Sequence, residues 1–289
     1  CRDWSSDVCS SDLFVDNTGS EGFAHCQMLL KIKTFAEANG WTTLRYLNPA
    51  PTTGVFRELI MKGTGLSGTE EIYVGFRSYQ NTGTDVYNIS TAGFIGYVPA
   101  AAFTSQPGYV ESGVPAHNQR VDYWLNVNAQ RIAFGLKVSV GSYQGGYAGF
   151  FFRYGTPSQY PYPMAVIGML NGVPETRYSD TVYDMGFRGT TPACRIRDVL
   201  GGWQQPLNAP WNAQTNNVGV SRDTGGYYPA KKCVLYNAGN VWGELDGIRF
   251  VSGFNQLVEN TTVIDGKTNV VLRAVARTGF LDYFLLELS

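Results

Sequence analysis

Few residues in this chain are of the types that perform chemistry, and their spacing is loose. There are two histidines, His25 and His117. A hydrolytic triad sets a histidine between a nucleophile and an acid, and no G-x-S-x-G nucleophile elbow accompanies either one. Two carboxylates held about 5–10 Å apart can hydrolyse a glycoside. The nearest such pairs in sequence are Asp180/Asp184 and Glu244/Asp246, although Asp246-Gly247 also reads as a turn dipeptide. Gly63-Thr64-Gly65-Leu66-Ser67-Gly68 carries the letters of a dinucleotide fingerprint, with Asp85 about 20 residues on. That motif needs a helix directly after the glycines to hold a pyrophosphate. Thr69 to Tyr79 alternates with period two instead, so a Gly-rich connection between strands is expected. Cys26, Cys194 and Cys233 are too far apart for local metal-ligand spacing and read as buried free thiols. Asn88 and Asn260 open glycosylation sequons, a pattern common by chance. No catalytic residue, cofactor site or metal site is therefore expected.

The elements that would position these residues are mostly strands. Residues 18–40 read as a helix. Thr18 and Glu21 have capping-box spacing, Met28, Leu29, Ile32, Phe35 and Ala36 form one face, and Asn39-Gly40 supplies the stop. Strands are expected at Trp41 to Leu47, Phe56 to Lys62 and Glu71 to Tyr79. Arg131 to Val140 alternates strictly, which predicts an antiparallel strand with one wet face. Tyr123 to Asn128 pairs with it as a hairpin turning at Asn128 to Gln130. Ile196 to Leu200 suggests a helical turn. Val263 to Asp265, Asn269 to Ala276 and Phe280 to Leu288 form a terminal meander. The fold class is mainly β, with α+β character limited to one N-terminal helix: an antiparallel β-sandwich or barrel-like architecture. Residues 14–170 form a helix-plus-sheet region. Residues 171–289 form a turn-rich β region, packed with the first as one compact unit.

Aromatic residues number 40 of 289, and they can stack on sugars or anchor protein contacts. Trp124, Tyr143, Tyr147, Tyr154, Tyr160 and Tyr162 lie in or beside the hairpin region and form the expected interaction surface. Three prolines stiffen the Tyr154–Pro163 loop, which, with the Gly63–Gly68 loop, is expected at subunit contacts.

Charged residues are 16% of the chain, well below a usual ~25%. The near-neutral balance gives no electrostatic case for nucleic acid or an anionic membrane, and no apolar run reaches the ~18 residues of a spanning helix. The first thirteen residues stand apart. Trp4 to Leu13 resembles the translation of a sequencing adaptor, so residues 1–13 are expected to be an assembly artefact, excluded as a fusion scar would be. Without them five cysteines become three, and 21 basic against 20 acidic residues give a net charge of +1.

Several segments carry a resemblance. They are Gly40 to Tyr46, Lys62 to Gly75, Tyr123-Trp124 through Val138, Tyr147 to Phe152, the Gly155 to Pro163 loop, and Asp265-Gly266 to Gly279 with Tyr283. In these the chain resembles a family of virion structural proteins of tailed phages and prophages, over most of residues 20–289. The resemblance implies a tail or tail-tip component of the virion, with other virion proteins and copies of itself as partners. It brings no active-site residue. A carbohydrate- or receptor-binding β-module, with a host-surface glycan as partner, is the alternative. A glycan-degrading enzyme is the third reading.

Overall fold

The computed structural model describes residues 13–48, 53–211, 221–237, 239–254 and 256–288. Apart from Leu13, the adaptor-like segment lies outside them. The chain runs β1 (Phe14–Asp16), α1 (Ala24–Ala38), β2 (Thr42–Leu47), β3 (Thr53–Gly63), β4 (Ile72–Asn81), β5 (Val86–Phe94) and β6 (Val110–Pro115). It continues through β7 (Arg120–Asn128), β8 (Arg131–Ser139), β9 (Ser142–Phe150), β10 (Phe152–Arg153), β11 (Met164–Ile167), β12 (Cys194–Arg197) and β13 (Trp203–Gln204). Then come β14 (Leu207–Ala209), β15 (Lys231–Asn237), β16 (Asn240–Phe250), β17 (Thr261–Ile264), β18 (Lys267–Arg273) and β19 (Tyr283–Glu287).

These strands make three antiparallel sheets, and the mainly β, sandwich-like class is what the sequence led us to expect. The central sheet has the order β1-β7-β8-β9-β11-β12-β13. On one side lies the sheet β2-β3-β4-β5-β6, with α1 packed against both. On the other lies β14-β15-β16-β19-β18-β17, with β10 added on β16. Alternation along the central strands feeds two separate cores. Val121, Tyr123, Ile132, Phe134, Ala148, Phe150 and Val166 face α1 and the first outer sheet. Trp124, Ala133, Tyr147, Ala165, Ile167 and Ile196 face the second. The central sheet takes β12 and β13 from beyond residue 171, so its strands come from both sequence regions.

Three local expectations are corrected. The helix begins at Ala24, not near residue 18. The Thr18 N–H and hydroxyl both donate to Asp16 Oδ1, at 2.9 and 2.6 Å, and Glu21 pairs with Arg57, so neither is free to cap. The amides of Ala24 and His25 instead donate to the carbonyls of Asn118 and His117, at 3.0 and 3.1 Å. A distant loop thus does the work of an N-cap. At the other end Asn39-Gly40 stops the helix as expected, with Gly40 at φ +88°. Second, Ile196 is in a strand, and the turn after it is closed by Asp198, whose Oδ1 accepts from the Leu200 and Gly202 amides at 2.9 and 2.8 Å.

Third, β8 has no wet face over Arg131–Leu136, all of which is buried. The positions that looked solvent-facing, Arg131, Ala133 and Gly135, lie under the second outer sheet. Ala133 and Gly135 are small enough to admit it. Arg131 is fully buried and paired: its Nε donates to Asp246 Oδ2 on β16 at 3.2 Å. Asn128 and Gln130 side chains add bonds to the same carboxylate oxygen, at 2.6 and 3.0 Å.

Breaking one partner of such a pair leaves an uncompensated charge in the core, typically costing ~3–5 kcal/mol. Asp246→Asn and Arg131→Met should each lower urea-derived stability by about that much. The double variant should recover a large part of the loss. A cost below ~1 kcal/mol for D246N would mean the pair is not the joint between the layers.

Candidate functional site

Each site anticipated from sequence has a definite place in the fold. The glycines at 63–68 join β3 to β4 with no helix: the Glu70 amide closes the loop on the Thr64 carbonyl at 2.9 Å. No helix N-terminus is there to hold a pyrophosphate. Asp246 is occupied by Arg131, while Glu244, two residues along the same strand, pairs with Lys232 and accepts from Tyr154. Asp180 accepts from Tyr178, and burial raises the Asp184 carboxyl above its ordinary range. Cys26, Cys194 and Cys233 are free and buried, as expected, and burial pushes the Cys26 thiol up to about 11. Asn88 is buried, with its amide donating to the carbonyls of Pro174 and Thr176 at 2.7 and 2.8 Å, so this sequon is closed in the folded protein. Among the described residues no three of His, Cys, Asp and Glu converge as a metal site would require.

A carboxylate cluster that sequence spacing concealed lies on the first outer sheet. Strand pairing sets Glu58 opposite Arg77 and Arg77 opposite Ser90, and Glu111 arrives on the next strand. Glu111 accepts from Arg77 Nε at 2.9 Å, from Tyr79 Oη at 3.0 Å, and from Tyr109 and Ser90. Burial raises the Glu58 carboxyl toward its neutral form. Two carboxylates beside a buried arginine, one of them raised by burial, form an arrangement also found in general acid–base sites. Here, however, the Arg77 guanidinium lies 4.5 Å over the ring of Phe103. The cluster lines neither of the cavities described below. With Glu111's acceptor positions filled, the arrangement ties three strands, β4, β5 and β6, together with the Tyr109 segment.

The six aromatics do not assemble into a surface. Trp124, Tyr143, Tyr147 and Tyr160 are core residues between the central and second outer sheets. Tyr147 Oη donates to the Phe150 carbonyl at 2.8 Å, and Tyr160 Oη to that of Arg197. Tyr162 packs edge-on against Phe150 at 4.8 Å and donates to the Phe94 carbonyl at 2.9 Å. Only Tyr154 is exposed. The expectation failed because a strand's second face looks open until another sheet covers it.

What the Pro-rich loop does present is an apolar rim. Pro161 and Tyr162 border a hollow of about 240 Å³ with Ile95, Val199 and Leu200. Leu200 is 93% exposed, and Ile95 and Val199 are also exposed. The backbone there is held fast. Arg153 Nη1 donates to the Tyr160 carbonyl at 2.9 Å, and its Nη2 pairs with Glu70 beside the Gly63–Gly68 loop. The two loops singled out from sequence are therefore bridged by one arginine. A second exposed patch had no sequence signal. Phe254 and Phe280 stack in parallel at 5.7 Å, with Tyr228 5.1 Å from Phe254.

His25 is fully buried at the start of α1, its Nδ1 without a hydrogen-bond partner. Burial, reinforced by Arg57 and His117, lowers its pKa from 6.5 to about 3. It is therefore neutral in the fold at every pH above that. Below pH 6.5 the unfolded chain takes up a proton that the folded chain refuses. Stability is full above pH 6.5 and falls as pH drops toward 3, by about 1.4 kcal/mol per unit. Between pH 7.5 and 5 the protein should lose roughly 2 kcal/mol through this residue. His25→Phe, which keeps a ring against Phe23 and Tyr87, should lose correspondingly less. Parallel urea titrations at the two pH values check this; equal losses would contradict it.

Compared with known proteins, the chain matches no protein-family model and no curated protein sequence.

Proposed function

We propose that this protein is a structural subunit of a tailed-phage particle, tail or tail-tip associated, acting through assembly with other virion proteins and copies of itself. The observation that carries this reading is the apolar rim of Ile95, Val199 and Leu200 beside Pro161, with Leu200 on a turn closed by Asp198. A large apolar side chain left almost wholly in water on a rigid support suits burial against a partner, because little ordering entropy is then lost on contact. Low charge supports the same reading, since interface cores are depleted in charged residues. The sequence resemblance to virion proteins points the same way.

The second reading, a carbohydrate- or receptor-binding module, has its own support in the stacked Phe254 and Phe280, whose exposed faces could receive a sugar ring. Retention on immobilised host-surface polysaccharide that Phe254→Ala abolishes would favour it.

Assembly is tested by light scattering over a concentration series. The protein should form species larger than one chain, and Leu200→Asp should return them to monomers while leaving the melting temperature unchanged. A parent protein monomeric throughout, indistinguishable from L200D, would overturn the assignment of this rim as an assembly surface.

A further inference from the structure

The edge of β7 is paired over only part of its length. β1 pairs with Arg120, Val121 and Asp122, and the Tyr123 amide donates to the Leu13 carbonyl at 2.9 Å. Backbone groups of an antiparallel strand alternate sides. Leu125 and Val127 share the parity of Tyr123, so their N–H and C=O groups also point away from β8, and none of the described strands pairs with them. This edge floors a groove of about 830 Å³. One wall is α1, at Lys31, Phe35 and Ala38, and the other is Lys267 and Glu287 of the second outer sheet, with Leu288.

Two N–H donors on this groove have no acceptor. Trp124 is 1% exposed, and its Nε1 makes no hydrogen bond among the described residues. Arg131 also lines the groove and is fully buried. Asp246 holds its Nε and the Asn126 carbonyl its Nη1, at 3.2 and 2.9 Å, but its Nη2 makes no hydrogen bond. Nη2 stands 3.9 Å from Glu287 Oε1, which instead accepts from Lys267 Nζ at 2.7 Å. Most buried polar groups are paired, so two such orphans on one groove point to an acceptor that arrives from outside. Charge agrees. Lys31, Arg131 and Lys267 stand on the groove against Glu287, and counting Asp246 beneath Arg131 still leaves cations in excess, three to two.

We propose that the groove takes an extended strand of a partner protein, in which apolar and acidic residues alternate, added to the edge of β7. Strand addition satisfies the outward backbone groups of Leu125 and Val127, which a purely apolar ligand would leave buried and unpaired. Side chains of the added strand alternate between its two faces. Those level with Leu125 and Val127 face α1 and the core it shares with the first outer sheet, where an apolar side chain fits. Those level with Trp124 and Asn126 face the other wall, where Trp124 Nε1, Arg131 Nη2 and Lys267 call for a carboxylate. The seat, Trp124 to Asn128, takes about five residues at ~3.3 Å each. It shares no lining residue with the hollow beside Leu200, so this contact is separate from the rim proposed above for assembly.

Fluorescence anisotropy with labelled peptides, on the full chain, tests this. A peptide alternating valine and glutamate should bind at least tenfold more tightly than one alternating valine and lysine. It should exceed by the same margin a peptide with the same valines and glutamates in two blocks. Its binding should slow amide exchange at Leu125 and Val127. Trp124→Phe keeps an aromatic ring and deletes an N–H that makes no bond in the free protein, so it should narrow the gap between the glutamate and lysine peptides several-fold. Lys31→Glu, on the exposed side of α1, should narrow it too, and decides alone if W124F does not fold. Leu200→Asp should bind all three peptides as the parent chain does, which keeps this result apart from the fate of the rim. Equal binding of the three peptides, or an unchanged gap in the variants that fold, would overturn the proposal. So would self-association of L200D that the valine–glutamate peptide disperses, because the strand would then come from a second copy.

Discussion

The structure depends on one constraint: its central antiparallel sheet is covered on both faces. A sheet in that position has no solvent side on which to place charge, and the outer layers approach only where its side chains are small. At Gly135 of β8 a Cβ would lie 2.2 Å from Leu272 of the second outer sheet. At Gly145 of β9 it would lie 2.7 Å from the Phe187 ring in the core beneath that sheet. The glycine excess of the composition is partly this packing requirement and not only a supply of turns. Arg131, fully buried in the stack, is admitted because Asp246 and the Asn126 carbonyl pair with it from neighbouring strands.

That constraint explains what could be read from sequence. Strands announce themselves by alternation, so the β7–β8 hairpin and the β17–β18–β19 meander were legible. The helix stop was legible because Asn39-Gly40 acts locally. Its start was not, because the groups that satisfy its first amides belong to His117 and Asn118, more than ninety residues away. The wet face assigned to β8 failed for a related reason: alanine and glycine on one face of a strand do not distinguish open water from close contact with another sheet. The aromatics of β7 and β9 were misread as surface in the same way.

Functional chemistry was less legible, and the fold clarifies why. Glu58, Arg77, Ser90 and Glu111 come from four strands, and only the pairing register brings them into a row. The rim at Leu200 and the stacked Phe254 and Phe280 sit on turns with no periodic signal. The exposed rim lies at the margin of the layered body, away from its closed central sheet.

Hydrogen exchange, resolved by residue, tests the double-sided burial most directly. The account predicts that amides of β8 and β9 exchange only through global unfolding, slower than those of the outer strands β2 and β17. Exchange in β8 and β9 as fast as in β17 would contradict it, because the central sheet would then not be the closed layer on which the other two are built.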